Sequence, residues 1–289
     1  MLLTKLHIPQ PRENVVHRSD LFEKLNEGLS RKLILVSATA GYGKTTLVSD
    51  WINHNKMPVA WFSVDSRDNE PFEFLTFIIN SIQTIHKNVG NKSIELLKSP
   101  GTIEIEYICE LLINDILTVK SDFLLVLDDL HLIASAQVFK ILSFLVEHKP
   151  RNFKIAILTR SDPPLSLARM RSQNELSEIR SSDLCFTEHD ISDFFNRKLK
   201  LGLTEKDINL LELKTEGWIA GLQLTAITLQ NKENVSEFVK RIAGDNRYIM
   251  DYLIEEVLNA LDDETREFLL KTSVLEKLSG PLCDAVLQK

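Results

Sequence analysis

The stretch KLILVSATAGYGKTTLVSDW, residues 32–51, decides how the rest of the chain is read. It opens on a short apolar run, passes through a turn with glycines at 41 and 43, and closes on residues that favour a helix. A strand, a glycine-bearing loop and a helix in that order make a cradle for phosphate. Backbone N–H groups of the loop converge on the anion, and the helix N-terminus adds partial positive charge. Within this loop Gly41 and Gly43 let the backbone approach a ligand because no Cβ stands in the way. Ala40, Tyr42 and Thr46 are expected to surround the phosphates with them. Lys44 brings a point charge to the β- and γ-phosphates, and Thr45 a hydroxyl ligand for Mg²⁺. The usual spacing has glycine where this chain has Ala38, so the GKTT half carries most of the signal. The expected ligand is ATP or ADP with Mg²⁺.

Outward from the loop, the same apolar, β-branched character recurs at VAWFSV (59–64), FLLVLDD (123–129) and KIAILTR (154–160). None of these runs alternates with polar residues, so they predict strands buried on both faces of a parallel sheet. DLFEKLNEGL, which Ser19 is placed to cap, and KTTLVSDWI, PFEFLTFIINSIQTI, IEYICELLINDIL and AQVFKILSFLVEH carry apolar residues three and four apart and predict helices. Strands alternating with helices give a doubly wound α/β layer, a parallel sheet with helices on both faces, reaching residue 186. Residues 1–18, with Pro9 and Pro11, read as an extended strap. After LCFTEH the pattern is helical alone: DISDFFNRKL, EKDINLLELK, EGWIAGLQLTAITLQ, VSEFVKRIA, YIMDYLIEEVLNAL and ETREFLLKTSVL. The chain stops at DAVLQK inside a helical pattern, as a piece of something longer would.

Composition narrows the function classes. Of 289 residues, 44% are hydrophobic and 26% charged, enough apolar matter for a real core. A net charge of −7 argues against nucleic-acid binding by this segment, because phosphate neutralisation needs clustered Lys and Arg. Cys109, Cys185 and Cys283 are far apart and lack metal-ligand spacing. The N-terminus is too polar for a signal peptide and no apolar run reaches membrane-spanning length, so a cytoplasmic protein without membrane contact is expected.

Two further elements fit the phosphate loop. Asp128 and Asp129 end an apolar strand, where Asp128 is placed to hold Mg²⁺ beside Thr45 and Asp129 to polarise an attacking water. Arg160 ends another strand; a cation there reads a γ-phosphate, or pairs with a surface acid. Arg169 and Arg171 are weaker candidates for a second cation. His131 follows the acids and serves either to line the site or to hold structure.

The stretches TKLHIPQPREN, VVHR, LVSATAGYGKTTLVSDW, VAWFSVDSRDNEPFEFL, LVLDDLHLI, ILTRSDPPLSLARMR, LSEIRSSDLCF, EGWIAGLQL and DYLIEEVLNALDDETREFLLKTSVL run in the order seen in the large ATP-binding regulators of the LuxR type, the MalT-like family. The chain resembles that family over nearly its whole length, and Ala38 is usual there. The resemblance implies a STAND-class P-loop NTPase: a nucleotide-binding domain over 1–186, a helical domain over 187–245 and the start of a winged-helix domain over 246–289. It further implies that Arg18 belongs to a strap over the adenine, that hydrolysis resets an ATP/ADP switch slowly, and that the full-length protein self-associates in its ATP state. Family members carry a sensor array and a DNA-binding helix-turn-helix beyond this segment. Gly217-Trp218 occupies the place where related ATPases use a glycine–x–proline turn; without the proline, Trp218 reads as core packing. A small-molecule phosphotransferase and a scaffold that holds ADP without turnover are the alternatives.

Overall fold

In the computed structural model the described residues are 2–11, 13–99, 104–229, 239, 247–256, 258, 261–275 and 277–287. Among them lies a parallel sheet of β1 (Leu33–Ser37), β2 (Val59–Ser63), β3 (Phe123–Asp128), β4 (Phe153–Thr159) and β5 (Leu176–Arg180), in the order β2-β3-β4-β1-β5. Every side chain of β1 and β3 is buried, as the unbroken apolar runs require. Alternate residues nevertheless serve opposite layers, because successive Cβ atoms point to opposite faces. Leu33, Leu35, Phe62, Leu125, Leu127 and Ile157 pack on one side. Ile34, Val36, Trp61, Val126, Ala156 and Leu158 pack on the other.

The second side is covered by α1 (Ser19–Gly28) and α2 (Lys44–His54), through Leu21, Leu25, Leu47, Val48 and Trp51. The first side is covered by α3 (Pro71–Gln83), α4 (Asn91–Lys98), α5 (Ile105–Leu117) and α6 (Ala136–His148). The parallel sheet with helices on both faces therefore stands as expected. Ser19 is the first residue of α1, not its cap; the cap is Arg18, with no side-chain hydrogen bond.

The strand β5 was not expected from the sequence. LSEIR buries only Ile179 fully, and its neighbours reach the water at the sheet's edge. There Arg171 and Arg180 pair with Glu178, and both also reach Asp162. Such a polar edge discourages pairing with another chain, and it hides the strand from any search for apolar runs. Arg169 pairs with Glu147 at 2.7 Å. Both weaker cation candidates are thus committed to acids, Arg169 to Glu147 and Arg171 to Glu178 and Asp162.

The strap is less extended than expected, since Leu3–Leu6 forms a 3-10 turn. Its first end is pinned where buried Lys5 meets Asp68 at 2.6 Å and Asp65 at 2.9 Å. Its second end inserts Val16 into a third apolar cluster, with Phe186, Ile191, Phe195, Leu211 and Leu222.

That cluster is the core of the helices after β5. Two short helices, α7 (Leu167–Ser172) and α8 (Ser181–Leu184), flank β5, and α9 (Glu188–Ser192) runs on into a wide turn, Asp193–Lys198. Then come α10 (Glu205–Thr215) and α11 (Ile219–Leu229). Reciprocal caps fix two starts, Thr187 with Asp190 and Thr204 with Asp207, each supplying partners to orphan N–H groups. The expected helix VSEFVKRIA lies outside the described residues apart from position 239. Further on are α12 (Arg247–Glu256), α13 (Asp263–Thr272) and α14 (Gly280–Leu287).

Candidate functional site

The order of the sheet sets the site. Because β4 lies between β1 and β3, Arg160 emerges between the loop that follows β1 and the acids that end β3. Ligands of open α/β sheets gather at this carboxyl edge.

Gly41 and Gly43 take φ of +79° and +77°, values that L side chains rarely adopt. Gly43 is the N-cap of α2 with no side-chain hydrogen bond, so the first amides of α2 are left for an anion. Lys44 is buried and donates from Nζ to the carbonyls of Ala38 at 2.7 Å and Thr39 at 3.1 Å. Burial lowers its pKa, opposed by the charge of Asp129. Thr45 Oγ1 donates to both carboxylate oxygens of Asp128, at 3.1 and 3.0 Å. Hydroxyl and carboxylate, both hard oxygen donors, thus sit side by side as Mg²⁺ ligands do. Asp128 is only 3% exposed, and burial, with the charge of Asp129, pushes its carboxyl up to about 7.

Asp129 adopts the left-handed conformation, φ 59°, which turns it from the strand line. His131 Nδ1 lies 3.8 Å from its Oδ1, too far for a hydrogen bond, and this buried nitrogen has no hydrogen-bond partner among the described residues. Burial holds the imidazole's pKa low, and the charges of Asp129, Arg160 and Lys44 all act on it. The five groups Lys44, Asp128, Asp129, His131 and Arg160 thus share one electrostatic field.

Arg160 is engaged elsewhere. Its Nη2 donates to Glu256 Oε2 at 2.9 Å and its Nη1 to the Glu256 carbonyl at 3.3 Å. The sequence offered no sign of this partner, which lies 96 positions away in α12.

Beside the loop opens a cavity of about 380 Å³. Its walls are the strap (Asn14, Val15, Val16 and Arg18), the loop (Gly41, Tyr42, Gly43 and Thr46) and the helical region, with Tyr252 at its rim. Ala40, Lys44, Thr45, Asp128 and Arg160 do not line it, so only some of the expected groups face the cavity. Arg18 is buried, and its guanidinium donates to the carbonyls of Asp183, Leu184 and Cys185 at 2.9–3.3 Å. It ties the strap to the chain following β5.

Trp218 corrects an expectation. It is half-buried, not core, and its Nε1 donates to the Ala40 carbonyl at 3.1 Å while its ring meets Tyr252 edge-on at 5.5 Å. Ala220 N donates to the Gly41 carbonyl at 3.0 Å. A Cβ added at Gly41 would stand 2.6 Å from Ala220 Cβ and 2.7 Å from Trp218 Nε1. The absence of a side chain at Gly41 is therefore what lets the helical region dock on the loop.

Fold and loop together define the class: the chain is a P-loop NTPase, a parallel α/β domain with a helical region packed on its phosphate loop. Within that class it is similar to the MalT regulators. It is 33% identical over 284 residues to the HTH-type transcriptional regulator MalT of Serratia proteamaculans, covering 98% of this chain and 31% of that protein. It is 32% identical, with the same coverage, to the MalT regulator of Yersinia pestis. The chain thus spans about a third of the curated relatives it matches. The MalT winged helix domain matches residues 254–289, a segment that includes Glu256. Among solved structures, a Walker-type ATPase of Pyrococcus abyssi superposes with a TM-score of 0.60 at 16% identity, covering 99% of this chain and 92% of that one. A STAND protein with a tetratricopeptide repeat sensor from Pyrococcus horikoshii gives 0.57 at 17%, covering 98% and 38%. Among the described residues no helix is long and apolar enough to cross a membrane.

Proposed function

We propose that this chain is a nucleotide-controlled switch, the ATPase module of a transcriptional regulator, in which ATP and ADP favour different placements of the winged-helix segment. The observation that carries the reading is the Arg160–Glu256 pair. A cation at the carboxyl edge beside the phosphate loop is held by an acid from the segment matching a winged-helix domain. A γ-phosphate on the loop competes with Glu256 for the same guanidinium, whereas ADP has nothing to offer it. The two nucleotides therefore make different contacts, the condition for any shift of population.

The residues take roles accordingly. The adenosine occupies the cavity against the strap of Val16 and Arg18, and the phosphates meet the amides of Ala40–Thr46 and the Lys44 ammonium, which leaves the Ala38 carbonyl. Thr45 and Asp128 hold Mg²⁺, which when bound offsets phosphate charge. Asp129 orients the water for a slow hydrolysis that returns the module to its ADP form. The chain is divided at 186 and 245; the change of apolar cluster between Leu184, in the sheet's core, and Phe186, in that of the helices, supports a boundary near the first of these. The module acts in the cytoplasm and self-associates, in the full-length protein, when ATP is bound. DNA contact lies outside it, in keeping with its net charge of −7.

The test is a pair of titrations with ATP and ADP on wild type and Arg160→Ala. The variant keeps its ADP affinity and loses its ability to tell the nucleotides apart. Undiminished discrimination would remove Arg160 from this role.

A further inference from the structure

At the outer wall of the cavity, away from the phosphate loop's acids, His17 of the strap meets Asp50 and His54 of α2. His17 Nδ1 is 2.7 Å from Asp50 Oδ2, while His54 Nδ1 is 2.8 Å from the Asp50 carbonyl oxygen and 3.6 Å from Asp50 Oδ1, which leaves His54 Nε2 as its free ring nitrogen. The two imidazoles stand edge to face with centroids 4.9 Å apart. One ligand atom from each residue falls within 4.8 Å of the others. We propose that His17, Asp50 and His54 form a binding site for a divalent transition metal of the zinc class, which staples the strap to α2.

Several independent features converge on this. Asp50 is 4% exposed, yet its ion-pair partners among the described residues are the two histidines, with no lysine or arginine. A buried carboxylate without a full counter-charge is costly, and a divalent cation supplies that charge. Asp50 and His54 are four apart on α2 and so share a face. The start of α2 is the phosphate loop itself, so their position is set by the nucleotide site. His17 is placed from both sides, by Val16 in the helical core and by Arg18 in its ring of carbonyls. Neither anchor depends on His17, so the imidazole is presented to α2, not folded against it by default.

The donor set selects the metal. Imidazole suits zinc, cobalt, nickel and copper, whereas magnesium and calcium take oxygen ligands. Two imidazoles and one carboxylate leave a position for water, and both rings are about half exposed, 51% and 53%, so water reaches it. The ion takes the place of the His17–Asp50 hydrogen bond. Asp50, Val16 and Arg18 all line the cavity. A metal here closes the strap on the cavity's outer wall without touching the Mg²⁺ ligands Thr45 and Asp128.

The experiment uses the full 289-residue chain without any histidine tag. Zn²⁺ is titrated by calorimetry in excess Mg²⁺, and Co²⁺ is followed by its visible absorption. Wild type takes up one equivalent, with the absorption of a nitrogen- and oxygen-ligated cobalt ion. His17→Ala and His54→Ala each weaken Zn²⁺ by about tenfold or more; both side chains are half exposed, so both variants fold. His148→Ala, on the outer face of α6, binds as wild type does. Zn²⁺ also slows amide exchange in residues 13–18 of wild type and not of His17→Ala. Failure of wild type to bind Zn²⁺, equal binding by both variants, or loss of the site in His131→Ala instead would overturn the proposal. Binding that leaves exchange of the strap unchanged would overturn the staple.

Discussion

Glu256→Gln isolates the competition at Arg160 without disturbing the loop, because it keeps the side chain's length and removes its charge. The pair to be broken is Nη2 to Oε2 at 2.9 Å, with side chains 33% and 44% exposed. At that exposure water screens the attraction, and pairs of this kind contribute about 0.2–1 kcal/mol. ATP must spend that amount to free Arg160, and gains about 1.5–3 kcal/mol from a charge-assisted hydrogen bond to the γ-phosphate. The exchange therefore favours ATP by a small margin, as a reversible device requires. With Glu256 neutral the charge part of that cost falls away, while Nη1 keeps its bond to the backbone carbonyl, and ATP affinity rises by up to about 5-fold. ADP affinity stays as it was, since ADP leaves the pair intact. Calorimetric titrations at fixed Mg²⁺ on wild type, Glu256→Gln, Arg160→Ala and the double variant close a cycle. The gain must vanish in the Arg160→Ala background. If Glu256→Gln tightens ADP by the same factor, or still tightens ATP without Arg160, the competition does not exist.

Other outcomes follow from the loop and its acids. Lys44→Ala weakens ATP by at least about tenfold, the loss of one charged hydrogen bond, while circular dichroism shows the fold retained. Asp129→Ala binds ATP as wild type does but hydrolyses it far more slowly in single-turnover assays; a wild-type rate would assign the water to another group. Asp128, whose carboxyl is pushed up to about 7, must lose its proton to hold Mg²⁺, so Mg·ATP affinity falls as pH drops from 8 to 6. Asp128→Asn flattens that dependence. In the nucleotide-free chain the raised pKa means the native state holds a proton the unfolded chain has lost between about pH 4 and 7, so this group lowers stability as pH rises through that window.

The sheet was legible where it is buried on both sides. Strands such as Leu33–Ser37 and Phe123–Asp128 have no solvent face, so their runs are unbroken and their type is unambiguous. Leu176–Arg180 failed for the opposite reason: at an edge, its contacts are ion pairs among arginines and acids, which in sequence look like any surface loop. The strand–loop–helix around Gly41–Thr45 and the placing of Asp128 at a strand end beside Thr45 were legible because such a turn demands particular residues at fixed spacing. Arg160 was placed at the right strand end, but Glu256 could not be matched to it, since nothing local marks an acid 96 residues away as its partner. Trp218 was misjudged because an indole suits a core and a docking surface equally, and only the fold puts it on Ala40, 178 residues upstream. The spacing of Asp50 and His54 is readable as one helix face; His17 joins them only through the path of the strap.

The indole that rests on the Ala40 carbonyl also gives the molecule a native optical reporter. Trp51 and Trp61, the other two tryptophans, are 2% and 0% exposed. Each commits its N–H to a side chain away from the cavity, Asn26 and Ser63. Their emission is that of a dry interior and has no cause to change when the loop fills. Trp218 alone is half-buried, with its N–H on the loop carbonyl and its ring against Tyr252 in an edge-type contact. Any shift in emission maximum on adding nucleotide thus comes from one ring, at the seam where the helical region meets the loop, and reads the opening or closing of that seam without a label.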